Sequence, residues 1–136
     1  MRVNKAEKPN EKYAPTASLC DENGKPLEWE FRHITTKENE NLSNACTREV
    51  QVTGKPNMFR PKMDSSAYGV KVIVASTVFP DLYDKELQGS YGVMTPEDLV
   101  FAMLDNPGEY NELSSWLMNF QGFTRSFEDK VEEAKN

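Results

Sequence analysis

Chemically reactive side chains are scarce in this sequence of 136 residues, which holds one histidine, His33, and two cysteines, Cys20 and Cys46. Zinc takes three or four His, Cys or carboxylate ligands at suitable spacing, and a lone histidine with two distant thiols does not supply them. The thiols are too few and too far apart for a disulfide framework or a CxxC knuckle, so both are expected to be reduced, small core residues. Glycine-rich phosphate loops are missing as well. Gly89-Ser90-Tyr91-Gly92 has two glycines but no Walker lysine and no GxGxxG context, and reads as a helix stop followed by a turn. Glu128-Asp129 opens no twelve-residue calcium loop. Glu28 and Glu30 share a strand face, but they alternate with Leu27, Trp29 and Phe31, the pattern of a solvated outer face rather than an acid–base pair. The expectation is a protein that is not an enzyme, with no cofactor and no metal.

Long apolar runs are also lacking. No stretch reaches the roughly 18 residues of a membrane span, and Met1-Arg2-Val3-Asn4-Lys5 begins no apolar signal region. A cytoplasmic protein with no membrane partner is expected. Positive charge is in deficit, with Lys+Arg 16 against Asp+Glu 22 and a formal net charge of -6. Nucleic-acid affinity rests mainly on counterions displaced by Lys/Arg surfaces, so nucleic acid is not the expected partner.

What is present is a sequence of well-punctuated elements. Residues 1–12 are polar and without periodicity, and read as a disordered arm. A β-hairpin is expected over 13–34. Tyr13 to Cys20 is compatible with a strand, Asn23-Gly24 supplies turn chemistry, and Leu27, Trp29 and Phe31 alternate with charged residues. Thr35-Thr36-Lys37-Glu38 has the form of a capping box and opens a helix over 36–47 with Leu42, Ala45 and Cys46 on one face. Glu49 to Met63, with Pro56 and Pro61, reads as a short ribbon or a long loop. Residues 64–80 carry two signals. Val70 to Val74 favours strand by propensity, whereas the Asp64 cap and the spacing of Tyr68, Val72, Ala75 and Phe79 favour a buried helix over 65–79. The length of the stretch decides for helix.

Three further helices are expected at 84–88, 96–105 and 107–121. The first is stopped by Gly89, and the other two open on Thr95-Pro96 and Asn106-Pro107. The polar stretch 123–136 reads as a tail. The fold class is therefore expected to be α+β and predominantly helical, with four to five helices and an N-terminal β-hairpin in a single domain over 13–122.

With no chemical centre, candidate function lies in surface for other proteins. Trp116 and Met118 fall off the main apolar face of the last helix, near Phe123, and aromatic and Met residues at such an edge are over-used in recognition. Packing of Trp116 on the hairpin is the alternative. Met58 and Phe59, in the Glu49–Met63 segment, are expected to be exposed.

Three ordered blocks are similar to the XkdN-like family of phage tail assembly chaperones, found in prophages and long-tailed phages of Gram-positive bacteria. The first is Asn23-Gly24-Lys25-Pro26-Leu27-Glu28-Trp29-Glu30-Phe31-Arg32 with the acid-rich helix ending Ala45-Cys46-Thr47. The second is Val78-Phe79-Pro80-Asp81-Leu82 with Glu86-Leu87-Gln88 and Ser90-Tyr91-Gly92-Val93-Met94. The third is Met103-Leu104 with Pro107-Gly108-Glu109-Tyr110, closing on Asn119-Phe120-Gln121-Gly122-Phe123. The loop Gly54 to Met63 looks individual, and Gly69 is unusual inside a helix.

The resemblance implies a chaperone that binds the tape measure protein, and with it a possible contact to the tail tube protein. It would hold the tape measure soluble in the host cytoplasm while tube subunits polymerise, and would be absent from the mature virion. It implies no catalytic residues. Such chaperones are often made in two lengths by a programmed frameshift, and Ala134-Lys135-Asn136 is compatible with the slippery codons GCA AAA AAC. The competing reading is a structural tail completion or connector subunit, ring-forming through loops such as Glu49–Met63.

Overall fold

The computed structural model describes residue 4 and residues 6–123. Strand β1 (Glu11–Tyr13) pairs antiparallel with β2 (Trp29–Phe31), and β2 pairs antiparallel with β5 (Thr77–Phe79), giving a three-stranded sheet in the order β1-β2-β5. A second sheet is a two-stranded ribbon of β3 (Thr47–Val52) and β4 (Lys55–Met63). Five helices complete the described residues: α1 (Thr36–Ala45), α2 (Ser65–Ser76), α3 (Lys85–Ser90), α4 (Pro96–Met103) and α5 (Pro107–Phe120).

This mixed α+β architecture with two sheets corrects the predominantly helical one expected from sequence, since 42% of the described residues are helical and 22% lie in strands. Two segments account for the difference. Thr77–Phe79 leaves the helix expected through residue 79 and joins the edge of β2. Two β-branched residues lead into Phe79, whose position before Pro80 disfavours helical backbone. The ribbon is the other segment. Every residue of β4 is exposed and β3 is only partly shielded, so neither strand carries the apolar alternation that marks a half-buried one.

The N-terminal hairpin also differs from its expected form. Its strands are three residues each, and residue 11, expected in a disordered arm, already lies in β1. Tyr13 to Cys20 does not run as one strand, because the chain is drawn off the sheet toward α5. The Thr16 hydroxyl donates to Glu109 Oε1 at 2.7 Å, and the Ala17 amide donates to Glu109 Oε2 at 2.9 Å. The connection then doubles back through a turn in which Asp21 Oδ1 accepts from the amides of Asn23 and Lys25. Gly24 holds φ +77° there, in the left-handed region that favours glycine. Cys20, expected in the core, is exposed in this loop, whereas Cys46 is buried.

Each long helix begins on a side chain that satisfies its otherwise unpaired amides. Thr35 and Glu38 form the reciprocal box at α1, Asp64 accepts from the Ala67 amide at α2, Thr95 from Asp98 at α4 and Asn106 from Glu109 at α5. The core lies between the three-stranded sheet and the helices. Trp29 and Phe31 from β2 meet Val72 and Ile73 of α2, Leu99 and Val100 of α4, and Leu113 and Leu117 of α5, all of them 0–1% exposed. Each such side chain contributes roughly 1.5–3 kcal/mol by leaving water. Helix α2 packs against α1, α4 and α5. That central position explains its weak amphipathicity, with Val72, Ile73 and Val74 buried in succession. The tail expected over 123–136 lies outside the described residues except for Phe123, which sits in the turn after α5.

Candidate functional site

The C-terminal end of α5 is built from a chain of aromatic contacts. Trp116 stacks on Tyr13 with ring centroids 4.6 Å apart, tilts against Phe31 at 5.3 Å and stacks on Phe120 at 5.2 Å. Phe120 in turn stacks on His33 at 3.9 Å. Sheet and helix are thus joined through Trp116, which is half-buried. Past Phe120, the Gln121 side chain donates to the Arg32 carbonyl at 2.9 Å and accepts from the Ile34 amide at 3.0 Å. Arg32 reaches Glu38 through two parallel hydrogen bonds of 3.0 and 2.6 Å. That guanidinium, with help from the Thr35 amide, holds the Glu38 carboxyl at about 2, below its ordinary 4.5.

Beside them lies a groove of about 530 Å³, with Lys8, Arg32, His33, Asn39, Gln121 and Phe123 among its walls. It is a polar, open groove with one aromatic edge. A second hollow, of about 410 Å³, lies where α4 turns into α5 and is walled by Phe101, Leu104, Pro107 and Tyr110, with Asp105 at its rim. Phe101 and Tyr110 meet there at 5.6 Å, and Phe101 remains 48% exposed. Tyr83 and Met94 are more exposed still.

The third surface is the ribbon. It turns at Thr53-Gly54, where Gly54 adopts φ +77°, and it packs chiefly on itself. Met58 and Phe59 are 53% and 60% exposed near this turn. Strand alternation puts Arg48, Val50, Arg60 and Lys62 on one face, and Glu49, Gln51, Phe59 and Pro61 on the other.

The five residues singled out from sequence therefore fall into three places. Trp116 and Met118 pack against the core, Phe123 edges the polar groove, and Met58 and Phe59 are exposed on the ribbon. Sequence reasoning missed Gln121, Phe101 and the ribbon's cations. Gln121 looks like any helix-end polar residue until its partners just after β2 and in α2 are known. Arg48-x-Val50 and Arg60-x-Lys62 do alternate in sequence, but they meet on one face only through the strand register.

Among the described residues, no three of His, Cys, Asp and Glu converge as a metal set, and no helix is long and apolar enough to cross a membrane. The fold and its surfaces define a small α+β domain that presents grooves and a protruding ribbon.

The chain belongs to the phage XkdN-like tail assembly chaperone (TAC) family, whose model matches residues 1–135. Among similar proteins is the phage-like element PBSX protein XkdN of Bacillus subtilis (strain 168), 28% identical over 118 residues, covering 87% of this chain and 78% of that one. The uncharacterized protein YqbN of the same strain is 28% identical over the same length and coverage. The crystal structure of the protein YqbN shares the fold, with a TM-score of 0.72 at 21% identity over 90% of this chain and 92% of that one. The resemblance read from the three sequence blocks is thus the family itself, and a role in phage tail assembly follows from membership.

Proposed function

We propose that the protein binds the tape measure protein of its own phage or prophage and keeps it soluble in the host cytoplasm until tube subunits enclose it. The whole-length match to a tail assembly chaperone family carries this reading. The surface is consistent with the task. An acidic chain that leaves Tyr83, Met94 and Phe101 exposed can cover apolar helical stretches of a client while keeping the complex charged and dispersed. On this reading the protein works by binding alone, without catalysis, and leaves before the particle is complete.

Co-expression with the tape measure protein from the same locus tests it. A tape measure that becomes soluble and co-purifies supports the reading; one that stays aggregated and unbound overturns it. The projecting ribbon is the one feature that favours a virion subunit instead, since such an arm suits ring contacts between neighbours. Mass spectrometry of purified particles separates the two readings, because a connector is present in fixed stoichiometry and a chaperone is absent.

A further inference from the structure

We propose that the cationic face of the β3–β4 ribbon is a docking site for an extended acidic segment of the tail protein this chaperone serves, lying along the outer edge of β3. The inference rests on the proposed chaperone role and adds to it the place of contact and the chemistry of the client.

Four observations carry it. Arg48 and Lys62 stand directly opposite each other in the strand register, and Arg60 shares their face opposite Val50. Like charges placed across a strand pair repel, and this face holds no acid to offset them, since Glu49 points to the other side. The ion pairs among the described residues are Arg32–Glu38 and Lys71–Glu97, both away from the ribbon. The repulsion is therefore unrelieved among the described residues, and an anionic partner would relieve it.

The ribbon's charge is also opposite to that of the molecule. Residues 47–63 hold four cations, Arg48, Lys55, Arg60 and Lys62, against the single acid Glu49, in a chain of net charge -6.

The two edges differ as well. Strand β4 carries Pro56 and Pro61, which lack an amide donor, together with Lys55 and Lys62 near its ends, the usual protection of an exposed edge. Strand β3 (Thr47–Val52) has no proline, and its outer edge meets no third strand among the described residues. A two-stranded ribbon is marginal in water by itself, and an added strand would complete it.

Finally, the root of the cationic face opens on a cleft of about 300 Å³ lined by Arg48, Lys62, Met63, Asp64 and Ser65. Its acid, Asp64, is already engaged in capping α2. A backbone edge beside three cations suits a peptide. A phosphate backbone would use the cations but not the edge, and would be repelled by the acidic body.

The test compares the full-length wild type with a variant carrying Arg48→Glu, Arg60→Glu and Lys62→Glu, and with a control carrying Arg48→Lys and Arg60→Lys. Circular dichroism establishes that each is folded. Each is co-expressed with the tape measure protein from the same locus. The inference expects wild type and Lys control to co-purify with it, the complex to weaken as salt rises, and the triple variant to bind at least about tenfold more weakly. If the triple variant co-purifies as well as the wild type, the inference is overturned and the chaperone reading stands.

If the wild type itself does not bind, the chaperone reading fails, and a fluorescein-labelled peptide alternating Glu and Val decides the site by anisotropy. Binding by wild type that is lost in the triple variant, and that is absent with a Lys-Val peptide, supports it. Equal or absent binding overturns it. A change in the size of the free protein on triple substitution would assign the face to a second copy, and preferential binding of duplex DNA would assign it to nucleic acid. Either result overturns the acidic-segment proposal.

Discussion

Gln121 Nε2 lies 3.0 Å from Ser76 Oγ, and through that contact the end of α5 is fastened to the end of α2. The same amide group donates to the Arg32 carbonyl, and its oxygen accepts from the Ile34 amide, so one side chain closes three elements. Ser76 is fully buried and donates its own proton to the Val72 carbonyl at 2.7 Å. Gln121→Ala leaves the Ile34 amide and the Arg32 carbonyl without their side-chain partner. A loss of about 1–3 kcal/mol is expected in urea unfolding. A change below about 0.5 kcal/mol would mean that water entering the groove replaces the amide at no cost.

Gly69 lies inside α2 with helical backbone, and a Cβ built there meets nothing within 4 Å. Glycine in a helix interior forfeits backbone entropy and gains no packing here in exchange. Gly69→Ala is expected to stabilise the fold by about 0.5–1 kcal/mol. A lowered melting temperature would show that the position needs more than helical backbone.

Two carboxylates set the acid limit. Glu38 is held at about 2, against its ordinary 4.5, chiefly by its hydrogen bonds to Arg32 and then by the Thr35 amide. Glu109 is lowered by the Ala17 amide and then by the Thr16 hydroxyl. A depressed carboxyl contributes stability that is present above its unfolded value and lost as pH falls through the folded one. Stability should therefore decline as pH drops below 4.5 toward 2. Glu38→Gln should cost about 1 kcal/mol at neutral pH, because the 38% and 37% exposure of the paired side chains screens the interaction. Urea midpoints measured across acid pH should fall less steeply for Glu38→Gln and for Glu109→Gln than for the wild type. Parallel curves would contradict this account.

Trp116 and Phe59 should differ sharply in what they contribute to stability. Trp116 joins Tyr13, Phe31 and Phe120, so Trp116→Ala should destabilise the domain by about 3 kcal/mol. Phe59, exposed on the ribbon, should leave unfolding within about 0.5 kcal/mol of wild type when changed to Ala. A large stability loss for Phe59→Ala would mean that the ribbon supports the core.

What was legible in the sequence was local. The reciprocal pair Thr35 and Glu38, the Asp64 cap and the two proline-opened helices need only neighbours within one turn, so their residue types carry the information. Trp29 and Phe31 declare a buried strand face by alternation, and both are fully buried. The family, too, was readable, because its blocks run in one order along the chain. The pairing of Thr77–Phe79 with β2 was not, since that contact spans nearly fifty residues and competes with a strong helical spacing. The ribbon stayed ambiguous for a different reason: an element with no buried face has no apolar period to show. The cationic face and the role of Gln121 depend on partners far away in sequence, and appear only when strand register and helix ends are fixed.

Both tryptophans of the chain, Trp29 and Trp116, lie at the junction of sheet and α5, each within reach of Phe31. Trp29 is fully buried, and its indole nitrogen finds no partner among the described residues. Intrinsic emission should accordingly be blue-shifted and should report the melting of the body alone. The β3–β4 ribbon holds no tryptophan. It could fray, pair with another strand or be cut without altering that signal, so to an ultraviolet lamp the ribbon is dark.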